Sequence, residues 1–340
     1  MSSVVIFGAG KQGHAAYEYC KSRGIDIVGF SDNNQNLWNK QLSLKWGGVE
    51  ETLPVICPED LTRADTVLIA VNRLLAPRIV KQVEGLKLDY YLFDKFVFEN
   101  EQENMQRVNG YFSDDESTAI MQALISYRSE ETDSIPFEYI SDQQYFGVKP
   151  FSLLGMPIYA IDAGAFTGDF VETLVTRNVG LIGKIYAFEP GEQQYSAMQS
   201  RVKRIVLENC LNERQIELIN GCVGEEKGFC SLTDQAGSSS LSVDTLSGGD
   251  TEVFAIDDFF KNSRVTLIKA DIEGMELAML KGAQNLIQTQ KPRLAVCIYH
   301  KPQDFYEIPE YIHSLVPEYH MAVRHHSQTF AETVLYCWID

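Results

Sequence analysis

Residues 161–170 read IDAGAFTGDF: an apolar strand ends on Asp162, turns through Gly164 and Gly168, and enters an apolar helix at Phe170. Strand, glycine turn and helix in that order open a β–α–β unit, a device that gathers ligands at the carboxyl ends of its strands. The next apolar run, KIYAFEP at residues 184–190, closes on Glu189 in the equivalent place. A second glycine turn stands near the start of the chain, in IFGAGKQGH at residues 6–14. There Gly8, Gly10 and Gly13 follow the spacing G-x-G-x-x-G, whereas Asp162, Gly164 and Gly168 follow D-x-G-x-x-x-G. The two turns imply two ligand chemistries.

Outward from these turns, residues 3–98 alternate β-rich and helical runs: VVIF, HAAYEYCKSRG, DIVGFSD, ADTVLIAVN, APRIVKQVEGL and YYLFDKF. Parallel strands joined by helical crossovers are expected. The polar stretch NNQNLWNKQLSLKWGGVEETLPVICPEDL reads as an irregular excursion, with a short strand near Val55 and a helix capped near Pro58. ENEQENMQRVNGYFSDDES reads as a linker, STAIMQALISYRSEE as a helix, and IPFEYISDQQYFG as an aromatic approach. From Ile158 the alternation resumes and runs through RLAVCIYH, a strand, and PEYIHSLV, a helix. ETVLYCWI is then a last strand pairing antiparallel at the end of the sheet. The expected fold is α/β, two tandem Rossmann-like domains: residues 1–100 nucleotide-binding or accessory, 101–150 linker and approach, and 151–340 the second, mainly parallel sheet.

Composition bounds the function. The 340 residues suffice for two cores, and 45% hydrophobic with 22% charged residues describes a soluble globular chain. A net charge of −18 argues against a nucleic-acid partner, because phosphate backbones are gripped by excess Lys and Arg. MSSVVIFGAG reads as a first strand and not a signal peptide, and no apolar run reaches the roughly 18 residues of a membrane span. Seven scattered cysteines without a C-x-x-C pair fit reduced thiols in a cytoplasmic protein. A small-molecule partner is expected, with room left for a homo-oligomer.

At the first turn, Gly8 permits a tight bend, Gly10 the close approach of a phosphate, and Gly13 the packing of the helix. Asp32 ends the second strand, where a carboxylate holds ribose hydroxyls. This is either a nucleotide or nucleotide-sugar site, or a fold that keeps its glycines for geometry and binds nothing. No hydride-transfer residues follow, so NAD-dependent catalysis is the weaker alternative.

The D-x-G-x-x-x-G loop is the one expected around S-adenosylmethionine. Gly164 and Gly168, with Phe166 and Thr167 between them, bring backbone to the methionine moiety, and Asp162 orients its ammonium. Glu189, followed by Pro190, accepts the ribose hydroxyls, and Cys222 and Val223 wall the adenine. In LIKADIEGMELAMLKGA, residues 267–283, Asp271 and Glu273 fall at a strand end beside the cofactor. Two residues apart in extended chain, they share a side. Such a pair deprotonates a hydroxyl or ligates a hard divalent ion, and the sequence does not decide between base and metal. In the blander reading Glu273 caps a helix beginning at Gly274 and Glu276 lies solvated on it.

His300 closes RLAVCIYH and is a candidate base or substrate contact with the ordinary pKa of about 6.5, ahead of KPQDFYEIP, a loop able to cover a substrate. Arg324, His325 and His326 either grip a phosphate or hydroxyl of the acceptor or cap the sheet. Ser238, Ser239 and Ser240 read as a loop near the adenosine or a plain linker.

These motifs resemble the FkbM family of S-adenosylmethionine-dependent methyltransferases. The resemblance spans about residues 113–340 and rests on IDAGAFTGDF, YAFEP, IDDFF, KADIEGMELAMLKGA, KPRLAVCIYHKPQDFYEIP, and the closing RHHS with ETVLYC. It implies a class I methyltransferase fold and O-methylation of a hydroxyl on a small molecule or glycan. With a glycine-rich first domain, whose GFSDNN turn is similar to domains of sugar-modifying proteins, it implies a sugar or nucleotide sugar of a surface-polysaccharide pathway. The expected reaction is in-line attack of the hydroxyl on the sulfonium methyl, with Asp271, Glu273 or His300 taking the proton. The alternatives are a nucleotide-sugar-binding scaffold with an inactive methyltransferase domain, and an NAD-dependent oxidoreductase built on the first turn.

Overall fold

The structure is a computed structural model that describes residues 3–62, 66–152, 155–234, 241–244 and 249–340. The chain divides into two compact units: Met1–Glu103 with Ile125–Asp133 and Lys301–Gln303, and Asn104–Leu124 with Ser134–His300 and Asp304–Asp340.

The first unit is built from β1 (Ser3–Phe7), α1 (Lys11–Ser22), β2 (Asp26–Ser31), β3 (Gln41–Trp46), β4 (Val49–Ile56), β5 (Thr66–Ile69), α2 (Ala76–Gly85), β6 (Asp89–Leu92) and α3 (Phe93–Asn100). Its sheet runs β3-β4-β2-β1-β5-β6, all parallel except the β3–β4 pair. Val5, Phe7, Val67 and Ile69 cluster with Ile79 and Val83 of α2, so the apolar strand residues and one stripe of the helix share a core. The expected irregular excursion is instead the β3–β4 hairpin. Gly47 and Gly48, at φ 57° and 82°, supply the two left-handed positions of a tight turn whose twist matches the strands it joins.

The stretch read as a linker forms α4 (Gln102–Asn109), held by buried Met105 and Val108 one helical turn apart, and is followed by α5 (Asp115–Arg128). In the second unit come α6 (Lys149–Ser152), β7 (Ile158–Ala163), α7 (Asp169–Arg177), β8 (Ile182–Phe188), α8 (Glu192–Glu208) and β9 (Ile216–Ile219). Next are β10 (Cys222–Gly224), β11 (Gly228–Asp234), β12 (Leu241–Asp244), β13 (Thr251–Ala255) and α9 (Ile256–Phe259). The chain finishes with β14 (Leu267–Ala270), α10 (Glu276–Lys281), α11 (Gln284–Gln290), β15 (Arg293–Cys297), α12 (Asp304–Leu315), β16 (His320–His325) and β17 (Thr333–Trp338).

The main sheet has seven strands in the order β16-β17-β15-β14-β7-β8-β9. Its β15-β14-β7-β8-β9 part is parallel, and β17 is antiparallel to both neighbours. The last strand is therefore inserted between β15 and β16 and does not end the sheet. A separate four-stranded sheet, β10-β13-β11-β12, had no counterpart in the sequence reading. KPQDFYEIP is not a covering loop: from Asp304 it is helical, and Phe305, Ile308 and Ile312 are fully buried at the spacing of one helix face.

Ser238, Ser239 and Ser240 lie outside the described residues. Among those residues no helix is long and apolar enough to cross a membrane, and none of the seven cysteines is joined in a disulfide.

Candidate active site

The carboxyl ends of β7, β8 and β14 open on a cavity of about 300 Å³. Gly164 sets its floor. At φ 74° it turns the chain out of β7, and a Cβ there would stand 1.9 Å from the carbonyl oxygen of Asp271. Glycine is thus required by the crossing of two backbone segments, a different reason from the close approach to a cofactor that its motif suggested.

Beneath that floor Asp162 and Lys269 face each other as direct neighbours in the β7–β14 register, with Nζ 3.0 Å from Oδ1. Lys269 also donates to the Gly164 carbonyl at 2.6 Å. Burial disfavours the lysine charge, but Asp162 and Asp271 outweigh it and hold the ammonium protonated above its ordinary range. Lys269 lines the cavity and Asp162, wholly buried, does not. The carboxylate expected to meet the ligand's ammonium is spent on a lysine that the sequence reading passed over.

Asp271 follows directly on β14. Tyr145 donates its hydroxyl to Oδ2 at 2.9 Å and Tyr299 donates to Oδ1 at 3.0 Å. Burial opposes ionisation of Asp271, yet Lys269, His300 and the two phenols hold its pKa below the usual carboxylate value. It is a fixed, ionised acceptor. Glu273 does not continue the strand: at φ 61°, followed by Gly274 at 95°, it lies in a tight turn and reaches the cavity from there. Nor is Glu276 solvated. It is fully buried, and its Oε1 accepts the N–H of Ile272 at 2.8 Å and lies 3.0 Å from His300 Nδ1.

His300 stands three residues beyond β15, with Nε2 3.5 Å from Asp271 Oδ1 and 3.7 Å from Glu273 Oε2. Burial works against its charge, but Glu276, Asp271 and Glu273 together push the imidazole up to about 9, away from the ordinary value expected of it.

Glu189 follows directly on β8 with both carboxylate oxygens engaged, by the N–H of Phe166 and of Gly191, each at 2.8 Å. Each oxygen keeps a second lone pair. Burial pushes this carboxyl above the usual range against those two donors. Gly164, Phe166, Glu189, Pro190, Cys222, Val223 and Asp271 all line the cavity, whereas Thr167 and Gly168 are not among its lining residues.

Among the described residues the cavity wall carries five carboxylates, Asp169, Glu189, Asp271, Glu273 and Glu332, against Lys269 as its one lysine or arginine. Glu332 accepts from Gln144 and is raised in pKa by burial and by the charge of Asp271. Four non-glycine residues with positive φ, Tyr145 (64°), Phe166 (48°), Glu273 (61°) and Glu332 (67°), meet at this wall. Such backbone strain costs about 1–3 kcal/mol at each position and collects where function over-determines the chain.

The remaining candidates are engaged elsewhere. Arg324 pairs with Asp114 at 2.8 Å and Glu116 at 2.9 Å. His325 is buried against Thr333, its Nδ1 2.9 Å from the hydroxyl oxygen, and His326 lies between the Ser141 carbonyl and the Tyr336 hydroxyl. The two histidines fasten the β16–β17 hairpin, Arg324 ties β16 to the start of α5, and none of the three lines the cavity. In the first unit Asp32 accepts the N–H of Ala9 and of Asn34, both at 2.8 Å, and so closes the Gly8–Gly13 turn on itself. A Cβ on Gly13 would stand 1.9 Å from the Gly8 carbonyl oxygen, a packing reason for that glycine.

Lys269, Tyr145, Tyr299, Glu276 and Glu332 were missed. Lys269 carried a local signal, a charge inside an otherwise apolar strand, and Glu276 stands in the same motif as Asp271 but reads there as solvated; Tyr145, Tyr299 and Glu332 come from distant segments and meet through the fold.

Residues 162–320 match the family model of the methyltransferase FkbM domain. Among solved structures the chain is similar to methyltransferase FkbM of Methylobacillus flagellatus KT, with a TM-score of 0.59 and 20% identity over 99% of this chain and 90% of that one. It is also similar to an rRNA methylase of Streptococcus thermophilus (TM-score 0.34, 17% identity, 60% of this chain and 91% of that one). A further likeness is to fibrillarin of Aeropyrum pernix with natively bound S-adenosyl-L-methionine (TM-score 0.32, 12% identity, 54% and 66%). The first likeness carries the fold. No curated protein matches the chain.

Proposed function

We propose that this S-adenosylmethionine-dependent methyltransferase, whose residues 162–320 match the FkbM domain model, transfers its methyl group to a hydroxyl of a small acceptor, a sugar or nucleotide sugar. The observation that carries the reading is the surplus of carboxylates over cations around the cavity, with Asp271 fixed at its base. A sulfonium is drawn to such a wall, and the neutral thioether left after transfer is held less tightly. The same surplus repels phosphate, so a phosphorylated acceptor presents its uncharged ring to the methyl group.

The roles proposed here follow from position and charge. Glu189 accepts the ribose hydroxyls through its spare lone pairs, with Cys222 and Val223 against the adenine. Gly164, Phe166 and Pro190 border the methionine and ribose. Attack by the hydroxyl oxygen forms the C–O bond as the C–S bond breaks, and charge is cancelled, so alignment and proton removal matter more than an oxyanion hole. Asp271, pinned by two phenols, aligns the hydroxyl. Glu332, raised in pKa and facing the cavity, takes the proton, a role for which protonated His300 is poorly suited. Phe166, 42% exposed at the rim, offers an apolar face for a sugar ring.

The test is incubation of the protein and S-adenosylmethionine with a panel of sugars and nucleotide sugars, followed by mass spectrometry. A methyl ether on one of them is expected. Transfer to nitrogen or carbon would overturn the hydroxyl reading, and absence of S-adenosylmethionine binding in calorimetry would overturn the site.

A further inference from the structure

We propose that Asp271, Glu276 and His300 form a binding site for a divalent cation of the manganese type beside the cavity. The proposal rests on the acceptor-hydroxyl reading, since a cation at this place would lower that hydroxyl's pKa.

One ligand atom from each of the three residues lies within 4.8 Å of the others. Donors about 2.1 Å from a common ion stand about 3.0–4.2 Å apart, depending on whether they are adjacent or opposite. The 3.5 Å between His300 Nε2 and Asp271 Oδ1 falls in that range and is long for a hydrogen bond. The 3.7 Å to Glu273 Oε2 brings a further carboxylate to the edge of the site.

A second observation is independent of these spacings. Glu276 is fully buried, and while its Oε1 is engaged, its Oε2 has no hydrogen-bond partner among the described residues. A buried carboxylate oxygen without a partner is costly, and a cation beside His300 and Asp271 removes that cost. Carboxylates with a single imidazole suit a divalent ion such as Mn²⁺, which accepts nitrogen more readily than Ca²⁺ and carboxylate more readily than Cu⁺. Binding displaces the imidazolium proton.

Manganese chloride titrated into the chelator-treated full-length protein, with free Mn²⁺ read by electron paramagnetic resonance, tests the site. One bound ion per chain is expected, displaced by excess magnesium. Glu276→Gln and His300→Gln are each expected to weaken Mn²⁺ binding about tenfold or more, with S-adenosylmethionine binding in calorimetry as for the wild type. Retained cofactor binding certifies a folded variant, and should Glu276→Gln fail that criterion, His300→Gln decides. A free Mn²⁺ signal that the protein does not reduce, or bound Mn²⁺ indifferent to these substitutions, overturns the cation site and leaves the methyltransferase reading standing. Loss of S-adenosylmethionine binding by the wild type overturns the latter separately.

Discussion

Gly164 has no tolerated substitute, because its φ of 74° and the Asp271 carbonyl 1.9 Å from any added Cβ act together. Gly164→Ala is expected to lower Tm and abolish S-adenosylmethionine binding, measured by thermal scanning and calorimetry. At Asp271 the expectation is different. Asp271→Asn keeps the shape but gives up the charge facing the acceptor, so kcat should fall about 10²–10⁴-fold. Undiminished turnover would remove Asp271 from the reaction. Its place at a strand end was legible in KADIEG, where an apolar strand stops at a carboxylate. Its two phenol donors were not, since Tyr145 and Tyr299 are separated from it by 126 and 28 residues.

At the level of elements, β7 and β14 are tied across the sheet by Lys269 and Asp162, and the pairing register puts the two charges face to face in a dry interior. Lys269→Met strands a buried carboxylate and should cost about 3–5 kcal/mol in denaturant unfolding, whereas Lys269→Met with Asp162→Asn should recover most of it. A double variant no more stable than the single one would mean that the lysine acts by packing alone. Periodicity located the parallel strands of the six- and seven-stranded sheets. It failed where apolar residues fell at helical spacing inside a stretch that looked like a loop, as with Phe305 and Ile308, so that α12 begins before the helix expected over PEYIHSLV. It failed again where a glycine pair joined two polar strands, β3 and β4, because solvent-facing alternation is hard to tell from irregular chain.

For the whole molecule, the net charge of −18 and the acidic cavity act in one direction. S-adenosylmethionine should bind more tightly than the demethylated neutral product, and calorimetry should find the difference narrowing as salt is raised. A second whole-molecule expectation concerns acid stability. Burial, with His326 alongside, pushes His325 down to about 4, below the roughly 6.5 of an unfolded histidine. The unfolded chain then binds the extra proton first, so this contribution is full above the unfolded value and is lost as pH falls towards the folded one. Wild-type Tm should drop more steeply than that of His325→Asn between those values; parallel curves would refute it. By itself the sequence determined the two α/β sheets, the cofactor and the strand ends that bear Glu189 and Asp271, because strand period, turn glycines and terminal carboxylates are local patterns. Only the tertiary structure decided that Asp162 is neutralised by Lys269, that Glu276 is buried against His300 and that Glu332 enters the cavity. Charge pairing, burial and backbone strain arise when distant segments meet, and no spacing along the chain encodes them.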